Sequence, residues 1–158
     1  MQLASDTLPT RLELPIEVWR FNRNFWLHSS TVEELTILAN SVEVKANNIF
    51  CYGSPKLATL KFPNLVAYPS WGLHMNFAVS HLNLFIPKVR VFGSKTYCFD
   101  PPANKTIRVY INEITCEEIM AIPNFPGLHQ SAYARCTFHG SDGTLSWNGS
   151  EWVVTNAK

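Results

Sequence analysis

Apolar residues return along this chain at a long and nearly constant interval. Five segments align beneath one another: Leu12-Glu13-Leu14-Pro15, Ile37-Leu38-Ala39-Asn40, Leu60-Lys61-Phe62-Pro63, Leu84-Phe85-Ile86-Pro87 and Val109-Tyr110-Ile111-Asn112. Each ends on Pro or Asn, and those end residues lie 25, 23, 24 and 25 positions apart. Counting from the end residue as zero, position −3 reads Leu12, Ile37, Leu60, Leu84, Val109, and position −1 reads Leu14, Ala39, Phe62, Ile86, Ile111. Position +10 reads Phe25, Phe50, Leu73, Tyr97, Ile122. All three columns are apolar in every row. Position +2 (Glu17, Val42, Leu65, Val89, Ile114) is apolar in four rows. Position −5 (Leu35, Ala58, Leu82, Ile107) extends the alternation in four.

Alternation with period two predicts a short strand with one buried face. Pro at zero ends it, because Pro has no N–H to give to a ladder. The columns at +2 and +10 bracket a return path on the far side of a coil. A single unit of this kind cannot bury its own apolar face. Stacked copies can, so the pattern predicts a solenoid with parallel strands about 4.8 Å apart. The fold expected is mainly β, a leucine-rich-repeat-like solenoid of about five repeats spanning residues 10–122. Pro123-Asn124-Phe125-Pro126-Gly127 is a breaker cluster that ends the repeats. Beyond it, residues 123–158 read as a C-terminal β meander. It has strands near Ala134–His139, Thr144–Trp147 and Glu151–Val154, a turn at Ser141-Asp142-Gly143, and a type I′ hairpin signal at Asn148-Gly149. A solenoid exposes core at its ends, so a differently built terminal unit is physically required, with Trp147 and Trp152 to cover it. The whole chain, 1–158, reads as one domain. A β-sandwich would also show short strands at regular spacing and stays open as an alternative. No segment of helical length carries a clean 3.6-residue stripe.

Composition narrows the function classes. The 158 residues are 46% hydrophobic and 16% charged, with net charge +1, which argues against disorder. Lys and Arg are scattered singly, so no nucleic-acid surface is expected. No apolar run is long enough for a membrane span, and residues 1–15 show no signal-peptide h-region.

The two middle rows carry a family resemblance. Leu60-x-Phe62-Pro63-x-Leu65-x-x-Tyr68 and Leu84-x-Ile86-Pro87-x-Val89-x-x-Phe92-Gly93, followed by Tyr97-Cys98, resemble the BspA-like leucine-rich repeats. The stretch Ala134 to Thr144 is similar to the strand–turn–strand that closes many such arrays in phage and prophage proteins. The resemblance covers about residues 10–122. It implies adhesion, surface binding or a structural place in a particle, and no chemistry.

Candidate chemistry adds little. Cys51 and Cys98 share position +11 two rows apart. That separation is about 9.6 Å, beyond the reach of a disulfide, so buried thiols are expected there. Cys116 and Cys136 sit in other columns, and their pairing stays open. Cys136 and His139 have half-zinc-site spacing, with only His129 near as a complement, so no metal and no cofactor is expected. Asp100, Glu117, Glu118, His74, His81 and Ser80 show no catalytic spacing, and Glu117-Glu118 reads as a solvated turn. Asn104-Lys105-Thr106 and Asn148-Gly149-Ser150 match a glycosylation sequon by coincidence in a chain read as unsecreted.

Function is expected on the outward strand positions. Position −2 reads Glu13, Leu38, Lys61, Phe85, Tyr110, and position −4 reads Arg11, Thr36, Thr59, Asn83, Arg108. An exposed stripe through Leu38, Lys61, Phe85 and Tyr110 is the candidate partner-binding surface, for a protein (another copy or other particle subunits) or a carbohydrate. The expectation is a non-catalytic structural or binding protein. It would be a phage particle component located in the virion, or a surface adhesin. The alternatives are a small β-rich carbohydrate-active enzyme, whose carboxylates meet only in space, and an intracellular protein-interaction domain in the cytoplasm.

Overall fold

Along each turn the chain forms short strands on up to three sides of a coil. The computed structural model describes residues 2–4, 8–21, 25–44, 50–52, 55–70, 77–96, 98–99 and 101–156. Within 2–4, 18–21, 25–28, 43–44 and 50–52 the backbone alone is described. The strand β1 (Gln2–Ala4) precedes the first turn, which runs through β2 (Arg11–Leu14), β3 (Val18–Phe21) and β4 (Phe25–His28). The second turn holds β5 (Glu34–Ile37), β6 (Ser41–Val44) and β7 (Phe50–Tyr52). The third carries β8 (Thr59–Lys61) and β9 (Ala67–Tyr68), the fourth β10 (His81–Phe85) and β11 (Val91–Phe92). A fifth rung opens with β12 (Thr106–Tyr110) and leaves the regular path through the one-turn helix α1 (Cys116–Met120) and a 3₁₀ stretch, Gln130–Arg135. The strands β13 (Cys136–His139), β14 (Gly143–Trp147) and β15 (Trp152–Asn156) finish the chain.

The main sheet runs β2-β5-β8-β10-β12-β13-β14-β15, parallel from β2 to β13 and antiparallel thereafter. The remaining sides pair β1-β4-β7, β3-β6 and β9-β11, all parallel. The fold is therefore a parallel β-solenoid of about four turns with an antiparallel closing unit. Residues that meet on successive rungs are the physical reason it holds. Leu12, Leu35, Leu60, Leu84, Val109 and Phe138 form one inward row through six paired strands. All but Leu12 are wholly buried. Leu14, Ile37, Phe62, Ile86 and Ile111 form the next row. Each buried side chain of this size contributes about 1.5–3 kcal/mol of transfer free energy, and none is buried by its own rung alone. Phe92, Phe99 and Phe138 extend the same core toward the far side, with centroids 5.4 Å (Phe92–Phe99) and 6.1 Å (Phe99–Phe138) apart.

Register departs from expectation in the second row. Leu12 pairs with Leu35, not Ile37, and Leu35 pairs with Leu60. On the main sheet the first two intervals are thus exchanged, 23 residues and then 25. On another side Phe25 does pair with Phe50, as expected. Phe21 pairs with Val44, 23 residues on, so the two-residue offset enters between Val44 and Phe50. A slip of two in a strand keeps every apolar residue on its face, so hydrophobicity alone cannot detect it. The +10 residues Leu73 and Tyr97 lie outside the described residues, as do His74, Asp100 and the side chains of Phe25, Phe50 and Cys51.

The closing unit differs from a free meander in three ways. Its first strand, β13, is a sixth parallel rung: Ile107, Val109 and Tyr110 pair with Cys136, Phe138 and His139. The stretch from Gln130 is 3₁₀ helix until Arg135, so that strand begins at Cys136. The turn at Asn148 spans four residues, because Trp147 pairs with Trp152. There the Asn148 side-chain oxygen accepts hydrogen bonds from the Ser150 and Glu151 amides, both 2.9 Å away. The helix α1 was not expected at all. Its signal was present as Thr115-x-x-Glu118: the Thr115 hydroxyl accepts from the Glu118 amide (3.2 Å), and the Glu118 carboxylate accepts from the Thr115 amide (3.0 Å). Gly93 marks a close approach of neighbouring coils. A Cβ there would stand 2.6 Å from the Ser70 amide nitrogen.

Candidate functional site

Outward-facing residues of the main sheet stack as strictly as the inward ones. The observed column is Glu13, Thr36, Lys61, Phe85, Tyr110, His139, followed by Thr144 across the antiparallel pair. Of the four residues expected on the stripe, Lys61, Phe85 and Tyr110 are brought together. Leu38 is not, because the two-residue slip puts Thr36 in its place. Leu38 instead lines a shallow groove of about 280 Å³ at the corner after the strand, with Pro15, Ile16, Glu17, Asn40 and Asn64. His139 was missed. From sequence it falls in the closing meander, with half-zinc-site spacing and no metal expected, and not on a sixth rung. The signal available was Cys-x-Phe-x, the same alternation as Ile107-x-Val109-x.

Parallel in-register strands place like positions about 4.8 Å apart, close to the thickness of stacked rings. Phe85 and Tyr110 accordingly stack with centroids 4.3 Å apart and planes 9° from parallel. Tyr110 and His139 follow at 4.4 Å and 18°. At the other end the Lys61 ammonium lies 5.4 Å from the Phe85 centroid and 3.4 Å from a Glu34 carboxylate oxygen. A cation over a ring face adds attraction to the packing. The result is a half-buried column, cation–ring–ring–imidazole, crossing four strands. Ring faces inside it cover each other.

Polar residues flank the column. The neighbouring outward row is Arg11, Glu34, Thr59, Asn83, Arg108, Thr137, and beyond it His81 pairs with Thr106. The His81 and Thr106 side chains share a hydrogen bond. His139 is held at both ring nitrogens, by Thr137 Oγ1 at 3.0 Å and Thr144 Oγ1 at 3.3 Å. Partial burial, and then the nearby Arg108 guanidinium, keep its pKa below the usual imidazole value. At neutral pH the imidazole is uncharged, so it stacks on Tyr110 as a neutral ring.

The remaining chemical candidates resolve into structural roles. Cys136 points inward and His139 outward, on opposite faces of β13, so they do not share a ligand. Cys98, Cys116 and Cys136 are buried free thiols, which answers the open question of a Cys116–Cys136 pair. Burial raises the pKa of all three, so the reactive thiolate is disfavoured. Glu118 and Asp142 both serve the start of α1. Asp142 accepts the Cys116 amide at 2.8 Å, and both carboxyls are held below the usual range by their hydrogen bonds. No helix among the described residues is long and apolar enough to cross a membrane. Comparison of the chain with protein-family models, curated proteins and solved structures returned no significant match.

Proposed function

We propose that this chain is a non-catalytic binding or structural module that docks a protein on the outer face of its main sheet. The observation carrying this reading is the column Lys61–Phe85–Tyr110–His139, preorganised by stacking and rimmed by Thr59, Asn83, Arg108 and Thr137. Rigid aromatic residues that lose little entropy on contact, ringed by polar groups, are the usual anchors of protein interfaces. A carbohydrate is the weaker fit. Sugars lie flat on exposed ring faces, and the faces within this column are already occupied. Catalysis is also the weaker reading, since Glu118 and Asp142 are held ionised at a helix start, the opposite of what a general acid requires. The resemblance of the Leu60 and Leu84 rows to BspA-like leucine-rich repeats points the same way. It favours a particle component, placed in the virion if the source is a phage, or an adhesin at a cell surface.

The test places a photo-crosslinking phenylalanine analogue at Tyr110 in the native source, with a second copy of the experiment at Lys56 on an exposed turn. Tyr110 should crosslink one protein species, and Lys56 should not. The double variant Phe85→Ser/Tyr110→Ser, with its circular dichroism unchanged, should lose that product when labelled at Arg108. Equal labelling from both positions, or none from Tyr110, would eliminate this face.

A further inference from the structure

We propose that two copies of this chain join end to end through their β2 strands, antiparallel, about a two-fold axis at Leu12. β2 is the outer strand of the main sheet, at the end opposite the closing unit. Its inward residues Leu12 and Leu14 are only partly buried, while their neighbours Leu35 and Ile37 are wholly buried. Leu8 and Ile16 add further half-covered apolar surface beside them. A strand edge of this kind is a template for pairing with another strand.

The backbone identifies which groups face outward. Glu34 donates its amide to the Thr10 carbonyl (3.2 Å) and Leu38 to the Leu14 carbonyl (3.1 Å). Within a strand, a residue's N–H and C=O point to the same side and successive residues alternate. Thr10, Leu12 and Leu14 therefore address β5. Arg11 and Glu13 direct their N–H and C=O groups to the open edge.

Only three two-fold registers keep the apolar residues on one face and overlap well. Centred on Arg11, the arginines oppose each other and Glu13 faces Pro9, which has no N–H. Centred on Glu13, the glutamates oppose each other and Arg11 faces Pro15, which again has none. Centred on Leu12, Arg11 of each copy lies opposite Glu13 of the second copy. Those pairs exchange both backbone hydrogen bonds, four in all, and each sets unlike charges side by side. Leu12 then meets its own equivalent at the close, non-hydrogen-bonded position, inside, where each leucine completes the burial of the other. Two prolines and two charges thus select a single register and a self-complementary partner, the arrangement of an isologous dimer.

Sedimentation velocity over a concentration series should show a reversible monomer–dimer equilibrium. Glu13→Arg converts both unlike pairs to like pairs and should weaken the dimer about tenfold or more. Adding Arg11→Glu to it restores the pairs in swapped order and should recover most of the loss. Leu12→Cys should form a disulfide-linked dimer on oxidation, because the two copies of that position lie close enough to bridge. A monomer at every concentration would overturn the proposal. So would a dimer indifferent to Glu13→Arg, a double variant no better than Glu13→Arg alone, or a dimer that Leu12→Cys fails to crosslink.

Discussion

The two ends of this solenoid solve the same problem with different means. At the C-terminal end the coil is closed from within its own chain. Trp152 sits against Phe125 (5.4 Å between centroids), Tyr133 (5.3 Å), Phe138 (5.6 Å) and Trp147 (5.7 Å). At the N-terminal end the β2 edge shows alternating exposed and half-buried residues. The rows entering the two ends have the same period and the same kind of side chain. What differs is whether a following rung exists to cover them. In a stacked coil, a side chain's contribution is set by its neighbours above and below as much as by its own identity.

Three measurements break or sharpen that comparison. The largest effect is expected in the middle of the shared row. Leu84→Ala removes a side chain covered on both sides and should cost about 2–5 kcal/mol, whereas Leu12→Ala, covered on one side, should cost less than about half as much. Urea titrations of the two variants at low concentration, where copies do not associate, give both numbers. Equal losses would mean that the first rung is as well covered as the fourth. Next is the closing cluster. Trp152→Ala should cost about 2–3 kcal/mol, because the ring is only partly buried, and should raise binding of an apolar dye. A thermal melt and a dye titration read the two effects, and an unchanged melt would show that the cluster is not the seal.

The smallest effect is pH dependence at the last rung of the aromatic column. Folding lowers the pKa of His139 below 6.5, first through burial and then through Arg108. As pH falls, the unfolded chain therefore takes up this proton before the folded one does. Its contribution is full above about pH 6.5 and declines as pH drops from there toward the depressed folded value, below which it levels off. The melting temperature should drop slightly across that window, and His139→Gln should flatten the drop. Glu118 and Asp142, with folded pKa values below 4.5 and 3.8, add a separate loss only on stronger acidification. A profile unchanged by His139→Gln would remove the imidazole from the account.

Much of the coil was legible because burial imposes a period. Leu60, Leu84 and Val109 could be placed on successive rungs from spacing alone, and so could the outward neighbours Lys61, Phe85 and Tyr110. The errors fall where the period is silent. Leu38 was assigned to the stripe and Ile37 to the row of Leu12 because a shift of two residues preserves the inward face. His139 was overlooked because the interval from Tyr110 is stretched by α1 and the 3₁₀ turn, which break the count without breaking the sheet. The helix itself was too short for a 3.6-residue stripe and announced itself only through its capping residues.

The amino-acid order by itself determined the strands and their period: half-apolar segments two dozen residues apart cannot bury their faces singly, and stacking copies is the arrangement that period favours. It placed the end of the regular repeats at the breaker cluster from Pro123 to Gly127, yet the sheet adds one more parallel rung, Cys136–His139, beyond that cluster. Tertiary structure alone decided which residue faces which across a rung, because backbone ladders and ring contacts distinguish registers that hydrophobicity leaves equal. That choice turned four separate side chains, Lys61, Phe85, Tyr110 and His139, into one continuous column.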